Sequence, residues 1–201
     1  RGNMKLVFAE ILKDLKDAGY RVSARVLNAM YFGVPQSRQR LIFIGVREDL
    51  GIEPSHPKAK LQPITVKEAI VNVINEHWEL DWTNHIQDSV IYPRICKMSI
   101  GDSYSDFNPT GSGYTLQKNW LNKPSRTITK TVNHSASSDG TLHPTENRKH
   151  TITEIKRLQG FPDSFILTGD FTAQWARIGN SVPPLFMRSI AKHIRSELLD
   201  G

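Results

Sequence analysis

"NAMYFGVPQSRQRLIFIGV", residues 28–46, is the stretch on which the fold turns. Its second half, Leu41 to Val46, is apolar apart from Gly45 and rich in β-branched side chains, which predicts a strand covered on both faces. Its first half reads as a turn through Phe32, Gly33, Val34 and Pro35 that delivers Arg38 and Arg40 to the mouth of that strand. Residues i and i+2 of a strand share a face. The two guanidinium groups therefore lie side by side, and Gln36 joins them if the strand extends backward. Two like charges so placed repel unless something accepts their hydrogen bonds. Either an anionic or electron-rich ligand sits between them, or each is taken up by loop carbonyls or an internal carboxylate.

Upstream, Tyr20 to Asn28 alternates Val22, Ala24 and Val26 against Arg21, Ser23 and Arg25, and reads as a half-exposed strand. Met4 to Ala18 carries apolar residues at 4, 7, 8, 11, 12, 15 and 18, a helical spacing that Gly19 ends. Downstream, Thr65 and Glu68 have capping-box spacing at the head of a helix through "TVKEAIVNVI". From about His77 to Glu146 the periodicity fades, predicting short strands and long loops. Order returns at "RKHTITEIKRLQGFPDSF", where Thr151 and Glu154 repeat the capping-box spacing and Gly160 with Pro162 stops a short helix. A last helix starts at Pro183 and Pro184, with an apolar stripe at 186, 187, 190, 191, 194 and 198. Burying roughly five of those side chains at about 2 kcal/mol each sets an upper figure near ~10 kcal/mol. Two amphipathic end helices need a sheet to lie on, and only two convincing strands are present. The ends are expected to pack together on a sheet whose other strands lie outside this chain.

The 201 residues hold 26 Lys and Arg against 20 Asp and Glu, a net charge of +6. That balance suits a polyanionic partner, or simply a solvated basic surface. No apolar run approaches the ~20 residues that span a bilayer, and the charged N-terminal segment is not a signal peptide. The single cysteine, Cys96, excludes an intramolecular disulfide, fits a reducing compartment and has no Cys or His cluster around it to hold a metal. It reads as a small buried hydrophobe. "RGN" before Met4 reads as a tag remnant or a cut point.

Residues 28–48, "NAMYFGVPQSRQRLIFIGVRE", resemble the Gln-x-Arg-x-Arg motif of the C5-cytosine DNA methyltransferases with its following strand. "RKHTITEIKRLQGFPDSF" is similar to that family's next motif, an Arg-x-Leu-Thr-x-Arg-Glu helix running into Leu-Gln-Gly-Phe-Pro, with His150 and Thr153 as departures. "QWARIGNSVPPLFMRSIAKHI" resembles its final Gly-Asn-Ser-Val-Pro motif. The three occur in family order and cover nearly the whole chain.

The resemblance implies an α/β fold: the C-terminal part of a Rossmann-like, S-adenosylmethionine-dependent methyltransferase domain, plus a small, mostly β and loop, target-recognition domain. It divides the chain into residues 1–50 of the catalytic domain, 51–146 of the recognition region and 147–201 of the catalytic return. Methylating C5 of cytosine needs a nucleophile at C6, which drives charge toward N3 and O2, and a fixed guanidinium beside O2 stabilises that charge. By resemblance Arg40 contacts the target base, Arg38 lies beside it in the catalytic pocket, and Gln36 orders the turn. Asn180, Ser181 and Val182 border the S-adenosylmethionine pocket. Within "PSRTITKTVNH", Arg126, Lys130 and Asn133 are the DNA-contacting candidates, with Arg94, Lys97, Lys118 and Lys123 behind them. Double-stranded DNA is the implied partner, with base flipping, a bacterial restriction-modification setting, a cytoplasmic location, no metal and no membrane. The family's cofactor loop, its Pro-Cys nucleophile and its Glu-Asn-Val segment have no match here. The chain is expected to act with a missing N-terminal half, in cis or as a separate subunit. The alternative is a non-catalytic DNA-binding module, or the DNA-recognition subunit of a split enzyme.

Overall fold

The computed structural model describes residues 2–59, 61–107, 116–132 and 140–199. Helix α1 (Gly2–Asp17) leads into strands β1 (Tyr20–Asn28) and β2 (Gln39–Arg47). Helices α2 (Val66–Ile70), α3 (His77–Asn84) and α4 (Tyr92–Ile95) follow, then two-residue strands β3 (Gln117–Lys118) and β4 (Thr141–Leu142). Helices α5 (Ile152–Gln159), α6 (Phe171–Asn180) and α7 (Pro184–Ile194) complete the order, α7 running on into a π turn over Arg195–Leu199.

β1 and β2 form an antiparallel hairpin in which Leu27 lies opposite Arg40, Ala24 opposite Phe43 and Tyr20 opposite Arg47. Opposed residues share a face. One face carries Arg40, Ile42, Ile44 and Val46 and receives α7, whose Phe186 and Ile190 pack with Ile44, Val46, Phe32 and Val34. The Phe32 and Phe186 rings stand 5.2 Å apart. The other face meets α1, where Phe8 lies 5.6 Å from Phe43.

That second cover is partial. Val26 and Leu41, directly paired, remain 63% and 44% exposed, and Leu6, Val7 and Ile11 of α1 are exposed as well. The strand is thus not covered on both faces as its composition predicted. The stripe on α7 is narrower too: Phe186, Ile190 and Leu198 are buried, while Met187 and Ala191 face outward. An i, i+4 row is all that a two-stranded ribbon has width to cover.

The α2 capping box forms as its spacing predicts, with Glu68 N donating to Thr65 Oγ1 and Thr65 N to the Glu68 carboxylate. The helix ends four residues early, because Val71 turns extended and Asn72 takes φ +57°. The middle of the chain is loop-dominated, but short helices outnumber strands among the described residues. A small core of Ile86, Ile91, Ile95, Met98, Tyr104, Leu116 and Leu142 holds it. Cys96 is exposed rather than buried, on the solvent side of the short α4 turn whose Ile95 fills that core. The largest core gathers Val66, Ile128 and Val132 onto α5 and α6. No helix among the described residues is long and apolar enough to cross a membrane.

An ionic network lies at the head of α5. Glu154, 2% exposed, accepts from Arg148 Nη2 at 2.7 Å, Arg148 Nη1 at 3.1 Å and Thr151 N at 3.1 Å, and pairs with His150 Nδ1 at 3.0 Å. Burial alone would raise this carboxyl, but the His150 and Arg148 bonds outweigh it and hold it well below the usual carboxylate range. His143, stacked edge-on 5.6 Å from His150, is pushed down to about 4 by burial and by its histidine neighbour. Its neutral form is therefore the one the fold favours. Stability linked to His143 is complete above the unfolded value near 6.5 and is lost as pH falls from there toward about 4. We expect a loss of roughly 2–3 kcal/mol across that window, by conversion of the shift. Urea midpoints of wild type and His143→Asn at pH 7 and pH 5 check it: the pH dependence shrinks in the variant, and identical curves refute it.

Candidate active site

The loop between β1 and β2 is pinned at its neck by Asn28. The Asn28 Oδ1 accepts from Met30 N and Arg38 N (3.3 and 3.0 Å), while its Nδ2 donates to Ser37 Oγ at 3.1 Å. Ala29 N closes the neck onto Arg38 O at 3.0 Å. Residues 35–38 then run beside 125–127: Ser37 N donates to Ser125 O (2.8 Å), Ser125 N to Pro35 O (2.9 Å) and Thr127 Oγ1 to Ser37 O (2.9 Å).

The two arginines have different fates. Arg38, 4% exposed, donates Nη1 to Ile128 O at 2.9 Å and Nη2 to Gly179 O at 2.8 Å and Ser181 O at 3.3 Å. Three backbone carbonyls thus take up its charge. Burial and the neighbouring Arg40 lower its guanidinium to about 10, still far above neutrality. Arg40 is only half-buried, and its Nη1 donates to Gln39 O at 2.7 Å. Of the two, Arg40 is the group placed to meet something outside the fold.

Gln36 does not join them on a strand face, since β2 begins at Gln39. Fully buried, it donates Nε2 to Gln159 Oε1 at 2.5 Å and accepts from Ile128 N at 3.2 Å. Gln159, also fully buried, donates Nε2 to Ile178 O at 3.0 Å, Ser181 O at 3.2 Å and Ser181 Oγ at 3.1 Å. Gln36, Arg38 and Gln159 thereby lock three distant segments together: the 33–38 turn, the 127–130 run and the end of α6. Gly179 completes the joint. A Cβ there would collide with the Thr129 carbonyl, so only glycine lets α6 approach so closely. Trp175 of the same helix donates Nε1 to Thr129 O at 3.0 Å. Gly179 and Asn180 are the last two residues of α6.

The result is an open cleft of about 350 Å³ lined by Arg38, Arg40, 127–130 and 179–182. It brings together Arg38, Arg40, Lys130, Asn180, Ser181 and Val182, drawn from the first and last of the three motifs and from the "PSRTITKTVNH" stretch. Cavities of about 340 and 410 Å³ lie elsewhere, beside Tyr31 and beside Glu79, and neither holds an arginine of the pair. Lys130, Asn180 and Val182 are exposed on the cleft, while Ser181 is engaged through its Oγ with Ile178 O at 2.7 Å.

The donor set decides what could bind. Asn180 and Val182 offer an exposed carboxamide and an exposed apolar side chain on this wall, a pairing compatible with a ligand that has both polar and apolar edges, as S-adenosylmethionine does. None of the described cleft residues is acidic, so ribose hydroxyls and the sulfonium charge find no carboxylate on this wall. Among the described residues no group of three His, Cys, Asp or Glu is placed to hold a metal ion.

Other sequence candidates scatter. Arg126 is exposed and donates Nη1 to Gln117 Oε1 at 2.9 Å. Lys118 is buried against Asn147 Oδ1 at 2.6 Å, and Arg94 donates to Tyr104 Oη at 2.7 Å, so these two serve the fold. Asn133 lies outside the described residues. Two features went unread. Helix α6 was signalled by Asp170 as N-cap and by Phe171, Trp175 and Ile178 at i, i+4 and i+7. Gln159 falls in the Leu-Gln-Gly-Phe-Pro match, but no local pattern gives it a bonding role, since all of its side-chain acceptors lie at the α6 end, 19–22 residues away.

Comparison with known proteins supplies the context for this cleft. A family model described as C-5 cytosine-specific DNA methylase matches residues 2–196. The type II methyltransferase M1.HphI of Haemophilus parahaemolyticus is 32% identical over 92% of this chain and 51% of its own length. M.NgoFVII of Neisseria gonorrhoeae is 32% identical over 96% of this chain and 54% of its own. The chain thus spans about half the length of the curated relatives it matches. Among solved structures, one from E. coli described as a prophage-encoded DNA modification methyltransferase superposes with a TM-score of 0.66 at 22% identity, covering 90% of this chain and 62% of that one. A mutant of Spodoptera frugiperda DNMT2 gives 0.62 at 17%, covering 94% and 61%. These last two establish the fold as that of the methyltransferases.

Proposed function

Because the chain belongs to the C-5 cytosine-specific DNA methylase family, we propose that it forms one side of the active site of a DNA (cytosine-5-)-methyltransferase of restriction-modification type, acting on a cytosine flipped out of double-stranded DNA. The observation that carries this reading is the cleft: half-buried Arg40 lines it together with Arg38, Lys130 and Asn180 to Val182.

Each residue takes a role its surroundings allow. Arg40 points of contact go to the extruded pyrimidine, stabilising the charge that gathers at O2 and N3 when C6 is attacked. Arg38 is a positioning residue, holding the backbone of 128, 179 and 181 against the start of the strand that carries Arg40. Lys130 serves the phosphate backbone, and Arg126 and Asn133 serve DNA further out. Asn180 and Val182 hold one edge of S-adenosylmethionine, with Ser181 supporting them. When bound, that cofactor supplies the methyl group.

The nucleophile is a separate matter. The chain has one cysteine, Cys96, which does not line the cleft. The attacking thiolate therefore comes from a second segment, carrying a Pro-Cys motif, that packs over the cleft. Val26 and Leu41, paired and exposed on the hairpin face that α1 covers only in part, mark where the rest of the catalytic sheet is to dock.

Mixing this chain with such a segment from a type II methyltransferase, then following transfer of labelled methyl groups from S-adenosylmethionine to duplex DNA, tests the reading. Methyl transfer by the mixture and by neither part alone supports it. Salt-sensitive DNA binding without any transfer across several donor segments would instead favour the non-catalytic module.

A further inference from the structure

Away from the cleft, one glycine anchors two exposed cations. Gly101 has φ +88°, and a Cβ on it would lie 2.5 Å from Cε3, Cζ3 and Cη2 of Trp120. Only glycine admits the indole there. Trp120 is held in that position although 40% exposed, and Lys123 Nζ stands 4.4 Å from its ring centroid. The Gly101 carbonyl accepts from Gln117 Nε2 at 2.6 Å, and Gln117 Oε1 accepts from Arg126 Nη1 at 2.9 Å. Both ends of the Gln117 amide are thus engaged, which fixes its orientation and aims the arginine. The backbone beneath is tied down as well: Lys118 N donates to Asp102 O and Asn119 N to Leu142 O, both at 3.1 Å. Asn119 Nδ2 meets Ser125 Oγ at 3.1 Å and His150 Nε2 at 2.9 Å.

Two long cationic side chains held in set directions lose little further freedom on binding. A guanidinium aimed by a glutamine matches the fork that reads O6 and N7 of guanine in the major groove. An ammonium resting on an indole is a point charge suited to a phosphate. We propose that Gly101, Gln117, Trp120, Lys123 and Arg126 form a prebuilt duplex-DNA contact in which Arg126 reads a guanine and Lys123 takes a phosphate. The proposal rests on the reading that this chain engages DNA, and it names the base its recognition region selects.

The test uses the full chain. A randomised duplex pool is captured on it and sequenced, and the selected duplex is remade with 7-deazaguanine, which lacks the N7 acceptor. Affinities are then read by anisotropy across a salt series. The wild type selects a motif containing guanine and loses about tenfold on the 7-deaza duplex. Arg126→Ala and Gln117→Leu erase that difference. Lys123→Ala weakens both duplexes alike and lowers the log–log salt slope by about one. Gly101→Ala, by driving off the indole, shows both losses. Trp120→Ala reproduces the Lys123→Ala result, so the test survives if Gly101→Ala fails to fold. Selection without guanine, or variants that change neither the 7-deaza preference nor the slope, overturns this assignment while DNA engagement stands. Absence of binding to any duplex at low salt overturns the DNA reading itself.

Discussion

On the proposed function, Arg40→Ala is expected to slow methyl transfer by about 10²- to 10³-fold in the assembled enzyme, the range for removal of one donor to a developing charge. The fold of this chain barely notices. Arg40 lies in β2 opposite Leu27, half-buried, and its Nη1 bond goes to the neighbouring Gln39 carbonyl, which water can replace. Unfolding midpoints of the variant and wild type are therefore expected to agree closely. Arg40→Lys keeps the charge but loses the rigid fork, and recovers only part of the rate. Arg38→Ala behaves in the opposite sense: it strips donors from the carbonyls of Ile128, Gly179 and Ser181, so stability falls along with the rate. Single-turnover methyl transfer at saturating duplex, set against urea unfolding of each variant, separates the two. A full rate in Arg40→Ala would remove the arginine from the chemistry.

Glu154→Gln is expected to destabilise the chain by about 3–5 kcal/mol, the usual consequence of leaving a buried charge without its partner. Arg148 is 4% exposed and donates to both oxygens of Glu154, while Asn75 Nδ2 and Thr151 N converge on the same carboxylate. A carboxamide in that place turns an NH₂ toward donors and removes the negative charge. Arg148 keeps its bonds to Glu146, which is more exposed and better hydrated, and so compensates poorly. At roughly 2–4 °C per kcal/mol for a chain of this size, the thermal midpoint drops by about 10 °C. The double variant Arg148→Met with Glu154→Leu should regain much of that loss, because no uncompensated charge remains. Equal midpoints for wild type and Glu154→Gln would show that the network contributes nothing net. The sign of the pH effect agrees. A carboxyl held below its usual range contributes stability above the unfolded value near 4.5 and loses it as pH falls toward the folded one.

What could be read from the sequence was local. The capping boxes at Thr65–Glu68 and Thr151–Glu154 are complete within four residues, and both form. The first strand followed from alternation, the second from a continuous apolar run, and the end helices from apolar spacing. Long-range facts were not legible. Whether Arg38 meets a ligand or loop carbonyls depends on Ile128 and on Gly179 and Ser181, 90 to 143 residues away. Both possibilities were chemically open from the motif, and the fold divides them, giving Arg38 the carbonyls and leaving Arg40 at the cleft. The exposure of Cys96 shows the same limit: its residue type argues for the interior, and the short turn that carries it has only Ile95 to spare for the core. Helix α6 was within reach, since its cap and its spacing are both local.

The grip of Arg38 has an evolutionary corollary. It fastens to carbonyl oxygens, which every amino acid offers in the same place. Side-chain changes at Ile128 and Ser181 consequently leave this grip in place, provided the backbone keeps its path.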